Sequence, residues 1–243
     1  MIASRAGKAL LALRDSRPSD DRHAAEFRAE ADRLANDIIF ELLKPRIAEG
    51  DGFLSEEHPD DEERLEHQRV WIVDPLDGTR EFAEPARTDW AVHIGLAVDS
   101  VAAAGAVALP AQGAVVYTGD PPKIGKRMSS RVKVAVSRTR PPGIASWLVE
   151  RLGCEMIAMG SAGAKAMAVV RGEADAYIHA GGQYEWDSCA PVAVALAVGL
   201  HASRLDGSLL RYNQTDPYLP DLVICRPELR ESIAAAVVSY SDD

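Results

Sequence analysis

Cysteine is scarce in this 243-residue chain: Cys154, Cys189 and Cys225 are odd in number and show no C-x-x-C spacing. That excludes a disulfide or zinc framework and marks them as small core residues in a reducing compartment, so the expected location is cytoplasmic. No apolar run reaches spanning length, because Gly, Pro or a charge interrupts each Ala/Val stretch, and no membrane helix is expected. Positive charge is in the minority: 27 Lys and Arg against 37 Asp and Glu give a formal net charge of −10. Such a balance argues against coating nucleic acid or an anionic membrane. It leaves room for a small phosphorylated substrate, because bound divalent cations invert the local potential. Internal repeats, low-complexity tracts and the G-x-x-x-x-G-K-[ST] phosphate loop are also absent. What remains is an ordinary globular composition, 47% hydrophobic and 26% charged, long enough for one large domain or two small ones.

Residues 2–15 carry a 3–4 apolar period with Arg5, Lys8 and Arg14 on the other face, which predicts an amphipathic helix and not a secretory signal. A second helix is predicted over 23–48, with Phe27, Ala31, Leu34, Ile38 and Leu42 as its apolar stripe and Asp32 and Asp37 off it. Phe53 and Leu54 form a short strand that ends at Ser55, Glu56 and Glu57; the acidic stretch beyond Glu57 reads as a solvated loop. Strands follow at 69–73, 90–98, 101–110 and 113–118, then a Gly/Pro/Lys/Ser segment at 119–131 that is the best boundary candidate. Beyond it, strands (132–137, 154–159, 175–179, 200–204, 221–225) alternate with helices (141–153, 163–172, 187–198, 227–239). The expected fold class is therefore α/β, with an α+β first half over 1–125 and a layered α/β second half over 126–243, forming one compact unit. Residues 205–220 read as a loop with a short hairpin.

The most informative segment is residues 71–82, WIVDPLDGTREF. A β-branched apolar run stops at Asp74, and Pro75, Asp77 and Gly78 predict a tight turn that presents two carboxylates at a sheet edge. Carboxylates that close repel unless a cation lies between them, and hard cations such as Mg²⁺ take oxygen ligands. Such an ion needs further ligands. Glu56 at the end of a neighbouring strand and Asp187, in EWDSCAP at a helix start, are the candidates; Asp187 also suits an N-terminal cap. A second turn, GSAGAK over 160–165, would leave backbone N–H groups free at a helix N-terminus, which suits phosphate.

Taken in order, LSEE, WIVDPLDGTREF, GSAGAKAM and EWDSCAP resemble the lithium-sensitive, Mg²⁺-dependent inositol monophosphatase superfamily over nearly the whole chain. The resemblance implies the layered α-β-α-β-α sandwich of the inositol monophosphatase and fructose bisphosphatase type. It implies that Glu56, Asp74 and the carbonyl of Leu76 hold one Mg²⁺, that Asp74, Asp77 and Asp187 hold a second, and that a third, weaker ion sits near Glu56. Thr79, with Glu56 and Asp32, would orient and deprotonate the attacking water. The N–H groups of Gly78 and Thr79 would cradle the phosphate. Asp32 follows Ala29-Glu30-Ala31 and not the usual T-x-x-D context, a departure that weakens its assignment.

Within the superfamily, Arg80-Glu81-Phe82 resembles the ending found in CysQ-type 3′(2′),5′-bisphosphate nucleotidases, and His179 stands where inositol enzymes carry a sugar-binding Glu. Lys165 matches a Lys that holds a second phosphate, one residue further from Gly160-Ser161 than in many nucleotidases, and Ser137-Arg138-Thr139 resembles a segment that contacts adenosine. The implied reaction is removal of the 3′-phosphate from 3′-phosphoadenosine 5′-phosphate, in support of sulfate assimilation, with Glu56, Leu76, Asp77, Gly78, Thr79, Arg80, Ser137, Ser161, Lys165 and Asp187 around the substrate. An inositol or sugar phosphatase is the alternative, and a protein-binding role without catalysis a third reading. A homodimer is the expected assembly, with the Ala/Val-rich strands of the first half as an interface or as ordinary core.

Overall fold

A computed structural model of the chain describes residues 1–16, 24–127 and 130–241. Two helices, α1 (Ile2–Asp15) and α2 (Ala24–Ala48), open the chain and bury Ala3, Ala6 and Leu10 in one cluster with Phe27, Ala31, Ala35 and Ile39, while Gly7 faces Pro110. Phe27 and Ala31 of the expected α2 stripe are buried, but beyond them the stripe runs one residue later: Ala35, Ile39 and Leu43 are buried, whereas Leu34, Ile38 and Leu42 are only half-buried. Asp37 is exposed and Asp32 half-buried. The expected start of this helix at residue 23 lies outside the described residues, as do 128 and 129 of the boundary segment.

The first sheet has the order β1 (Gly52–Ser55), β2 (Arg69–Asp77), β3 (Ala91–Val98), β4 (Val101–Leu109) and β5 (Ala114–Tyr117), with β1 parallel to β2 and the rest antiparallel. A short helix, α3 (Thr79–Ala83), follows β2. The second sheet runs β7 (Glu155–Met159), β6 (Lys133–Ser137), β8 (Ala176–Tyr184), β10 (Tyr218–Cys225), β9 (His201–Ser203). Between the sheets lie α5 (Ala162–Arg171) and α6 (Glu185–Ala197), while α4 (Gly143–Leu152) and α7 (Arg230–Ser241) cover the far face of the second sheet. The result is the α-β-α-β-α sandwich, and its middle layer belongs to both halves.

Helix α6 lies unusually close to the first sheet. Gly95 and Gly105 pair across β3 and β4, and a Cβ on them would come within 2.7 Å of Cys189 Sγ and 2.6 Å of the Ala190 carbonyl oxygen. These two glycines form the seat of α6, so the Ala/Val-rich strands are core on that face and not a free interface. Three further expectations are corrected. The first is β2, which does not stop before Asp74 but runs to Asp77, with the turn deferred to Gly78 at φ 86°. The 205–217 segment forms no hairpin: it closes only a local turn, Arg204 N–H to the Ser208 carbonyl, while its Leu205 N–H donates to Asp221 and its Tyr212 N–H to the Ser100 carbonyl, and residues 218–220 join β10. The C-terminal helix begins at Arg230, after a 3₁₀ turn at Pro227–Leu229. All three cysteines are free and buried, as expected. No helix among the described residues is long and apolar enough to cross a membrane.

Candidate active site

The site begins with an irregularity in β2. Asp74 pairs with His93 and Asp77 with Ala91, so three steps on β2 match two on β3. Residues three apart on a regular strand point to opposite faces; the extra residue of this bulge brings both carboxylates to one side. Pro75 is tolerated there because a bulge interrupts the ladder. The Leu76 N–H donates to Asp74 Oδ1 at 3.0 Å, and the Thr79 hydroxyl lies 3.2 Å from the Leu76 carbonyl while also bonding the Asp32 carboxyl from α2.

Two other elements deliver the remaining carboxylates. Because Ser55 pairs with Val73 and the Glu56 N–H donates to the Val73 carbonyl, Glu56 leaves β1 beside Asp74. Asp187 occupies the first turn of α6, where Oδ2 accepts the Tyr184 N–H at 2.7 Å. It therefore caps the helix while its carboxyl remains within the electrostatic reach of Glu56 and Asp77, which unites the two roles open for it in the sequence.

The four carboxylates act on one another. Burial, then Glu56, Asp77 and Asp187, hold Asp74 well above the usual carboxylate range. Glu56, although its outer edge is exposed, is pushed up to about 8 by loss of solvent around its carboxyl and by Asp187, Glu57, Asp32 and Asp77. Burial and Asp77 push Asp187 up to about 6. Asp77 is the exception: burial raises it, but His93, Lys165 and the Gly163 N–H outweigh that and hold it low. A set of crowded carboxylates with a backbone carbonyl fits a hard divalent cation, which takes oxygen ligands and relieves their repulsion. Asp74, Asp77 and His93 alone bring one ligand atom each within 4.8 Å of one another, close enough to hold an ion.

Beside the carboxylates opens a cavity of about 400 Å³, within the usual size of a small-molecule site. Glu56, Asp77, Gly78, Thr79, Arg80, Ser137, Ser161, Lys165 and Asp187 border it; Asp32, Asp74 and Leu76 stand behind that rim. Four cations, Arg80, Arg138, Arg140 and Lys165, are part of its wall. Arg138 is already clamped between Glu81 and Asp89. Lys165, at the buried end of the wall, donates to the carbonyls of Gly160 and Ser161 and lies 5.1 Å from the Tyr177 ring centre; burial brings its ammonium down to about 8. Arg80 and Arg140 have no side-chain ion pair among the described residues.

The expected phosphate cradle at the start of α5 is not free. Gly160 N–H donates to the Asp89 carboxylate at 2.7 Å, Ala162 and Gly163 N–H donate to Asp77 at 3.1 and 2.7 Å, and Ala164 N–H donates to the Ser161 hydroxyl at 2.9 Å. That helix terminus orients Asp77 and closes the two halves together. Tyr212 and Asn213 do not reach the cavity. Tyr212 is fully buried with its hydroxyl 3.2 Å from Ser188, and Asn213 joins the buried Arg64 to Glu185 at the start of α6. Sequence reasoning missed His93, Asp89 and the Glu81–Arg138 contact; a lone His in the apolar run WAVHIGLAV was the one available signal for His93.

A family model described as the inositol monophosphatase family matches residues 2–242. The chain is 50% identical over 240 residues to a 3′-phosphoadenosine 5′-phosphate phosphatase of Mycobacterium leprae, covering 94% of this chain and 88% of that one. It is 52% identical over 214 residues to a protein of the same name from Mycobacterium bovis, covering 85% and 80%. In fold it is similar to the crystal structure of CysQ from Bacteroides thetaiotaomicron, with a TM-score of 0.81 at 24% identity over 93% of this chain and 94% of that one.

Proposed function

The chain belongs to the inositol monophosphatase family, and from that premise we propose that it is a Mg²⁺-dependent phosphomonoesterase that converts 3′-phosphoadenosine 5′-phosphate to AMP and phosphate, with the 5′-phosphosulfate as a further substrate. Supporting the reaction is the carboxylate cluster around the bulge of β2; the names of the relatives at about 50% identity support the substrate. The observation that carries the choice of a bisphosphate is that two guanidinium groups with no ion pair among the described residues, Arg80 and Arg140, line the same cavity as the carboxylates. A substrate with a second phosphate would satisfy them, whereas an inositol monophosphate would not.

Glu56, Asp74, the Leu76 carbonyl, Asp77 and Asp187 would hold two Mg²⁺ ions, with a third near Glu56. When bound, such ions neutralise charge on the phosphoryl oxygens and lower the pKa of water. The Thr79 hydroxyl, fixed by its contacts with the Leu76 carbonyl and Asp32, would orient the attacking water. Its proton would pass by way of Thr79 Oγ1 to the Asp32 carboxylate, with Glu56 assisting. The N–H groups of Gly78 and Thr79 would steady the transferring phosphate in line with the attack. Arg80, Ser137, Ser161 and Lys165 would hold the rest of the nucleotide. No side chain at the site is an activated nucleophile, so hydrolysis is direct. The proposed setting is the cytoplasm, as a homodimer, where the reaction would remove an inhibitory product of sulfate assimilation.

The test compares kcat/KM on 3′-phosphoadenosine 5′-phosphate and on inositol 1-phosphate, with Mg²⁺ and with EDTA, and with added Li⁺. The expected result is preference for the nucleotide, loss of turnover with EDTA and inhibition by Li⁺. A preference of about tenfold or more for inositol phosphate, roughly 1.4 kcal/mol of transition-state binding, would overturn the substrate. Turnover that survives EDTA would overturn the mechanism.

A further inference from the structure

We propose that His93 is a positioning residue of the metal site: a buried strut that fixes Asp77 against the first turn of α6, and not itself a metal ligand. The inference rests on the reading above that this site holds divalent cations. His93 is fully buried on β3, directly opposite Asp74. Its Nδ1 lies 3.2 Å from the carbonyl of Trp186, the residue before Asp187. A carbonyl only accepts, so Nδ1 carries a hydrogen and donates it. Its Nε2 lies 3.1 Å from Asp77 Oδ2. That approach is close but too oblique for a well-aligned hydrogen bond.

The alternative is that Nε2 is a ligand, since the other ring nitrogen bonds a carbonyl in the manner of many metal-bound histidines. Space decides against it. A Cβ built on Gly163 would lie 2.1 Å from Nε2, so the Gly163 backbone crowds that nitrogen. An ion bound about 2.1 Å from Nε2 would have to fit beside that backbone. The strut reading uses all of these contacts. The Asp77 carboxylate is held by the Ala162 N–H, the Gly163 N–H and His93, and so it cannot rotate. Through Trp186, the ring then ties Asp77 to the segment that carries Asp187. Two of the ligand-bearing segments, β2 and α6, are coupled by one side chain.

The test uses the full-length protein freed of metal and Mn²⁺ alone as the probe. In His93→Asn, the amide nitrogen can replace Nδ1 towards Trp186 but does not reach Asp77; in His93→Gln, it can replace Nε2. The expected result is a Mn²⁺ affinity lowered by roughly 10–100-fold in His93→Asn and largely restored in His93→Gln, the size usual for groups behind a ligand. The metal concentration for half-maximal activity should rise in step, with the substrate KM unmoved. Pulsed EPR of Mn²⁺ in the wild type should show no directly bound nitrogen. A Gly163→Ala variant keeps the imidazole but displaces it, and should weaken Mn²⁺ binding similarly; it carries the test if His93→Asn does not fold. Directly coupled nitrogen, or Mn²⁺ affinity within about twofold of wild type in His93→Asn and Gly163→Ala, overturns this proposal alone. Wild-type protein that takes up no Mn²⁺ overturns the metal-dependent reading with it.

Discussion

Replacing Gly105 by Ala tests whether the seat of α6 sets the geometry of the active site. The added Cβ would lie 2.6 Å from the Ala190 carbonyl oxygen, 2.9 Å from Ala190 Cα and 3.1 Å from Ala193 Cβ, where ordinary contact begins near 3.4 Å. Backbone stands on the helix side and cannot swing away, so α6 must retreat by about 0.5–0.8 Å, an overpacking strain of about 1–3 kcal/mol. For a chain of this size that lowers Tm by roughly 2–4 °C per kcal/mol. Asp187 sits on the same helix, one turn before the contact, and must move with it. A misplacement near 1 Å can cost about 10²-fold in rate, so a loss of roughly tenfold in kcat with a raised Mg²⁺ requirement is expected. Thermal unfolding by circular dichroism and a Mg²⁺ titration of kcat measure the two effects. Gly119→Ala is the control, because its Cβ would meet only the Tyr117 ring at 3.2 Å. A Gly105→Ala protein whose Tm and kcat match those of the control would refute the claim that this close approach positions Asp187.

Asp74→Asn should abolish hydrolysis, yet raise the Tm of the metal-free protein, since one of the mutually repelling carboxylates becomes neutral; the Mg²⁺-induced rise in Tm should shrink at the same time. Without metal, stability should fall as pH rises from about 4 to about 8: Glu56 and Asp187 are raised to about 8 and about 6 in the fold, so the folded state binds more protons across that window and loses stability as they leave. Urea denaturation from pH 5 to pH 8 checks the sign, and added Mg²⁺ should flatten the slope. Arg80→Ala and Arg140→Ala should each raise KM for 3′-phosphoadenosine 5′-phosphate by roughly tenfold or more, the worth of a charged hydrogen bond, while leaving KM for 3′-AMP unchanged. Arg64→Met, which strips Asp60, Asn213 and the Gln214 carbonyl of their buried partner, should cost about 3 kcal/mol of stability by denaturant titration.

The sandwich and the carboxylates were legible because they rest on local signals. Apolar period separates α1 and α2 from the strands, and D-P-L-D-G-T compresses a bulge, two carboxylates and a left-handed turn into adjacent letters. What escaped depends on pairing between distant segments. Nothing near Gly160 says that its N–H will be claimed by Asp89, so the start of α5 read as a phosphate cradle. His93 could not be assigned until the register placed it opposite Asp74. Asn213, at φ 58°, lies in a segment that reads only as a loop, and the fold alone reveals its partners Arg64 and Glu185. Beyond Ala31 the α2 stripe was misplaced by one residue because α3 and β2 as well as α1 pack on that helix and turn a broader face inward.

The bulge in β2 makes the active site depend on a count and not on a composition. Deleting one residue between Asp74 and Asp77 would leave every metal-binding side chain in the chain and every strand able to form. The ladder with β3 would even become more regular. Yet one of the two carboxylates would then turn through the sheet towards Val73 and Leu76 beneath α2, into an apolar layer with no partner for it. Across these four positions the spacing itself is the functional element, and a more perfect strand would be an inactive one.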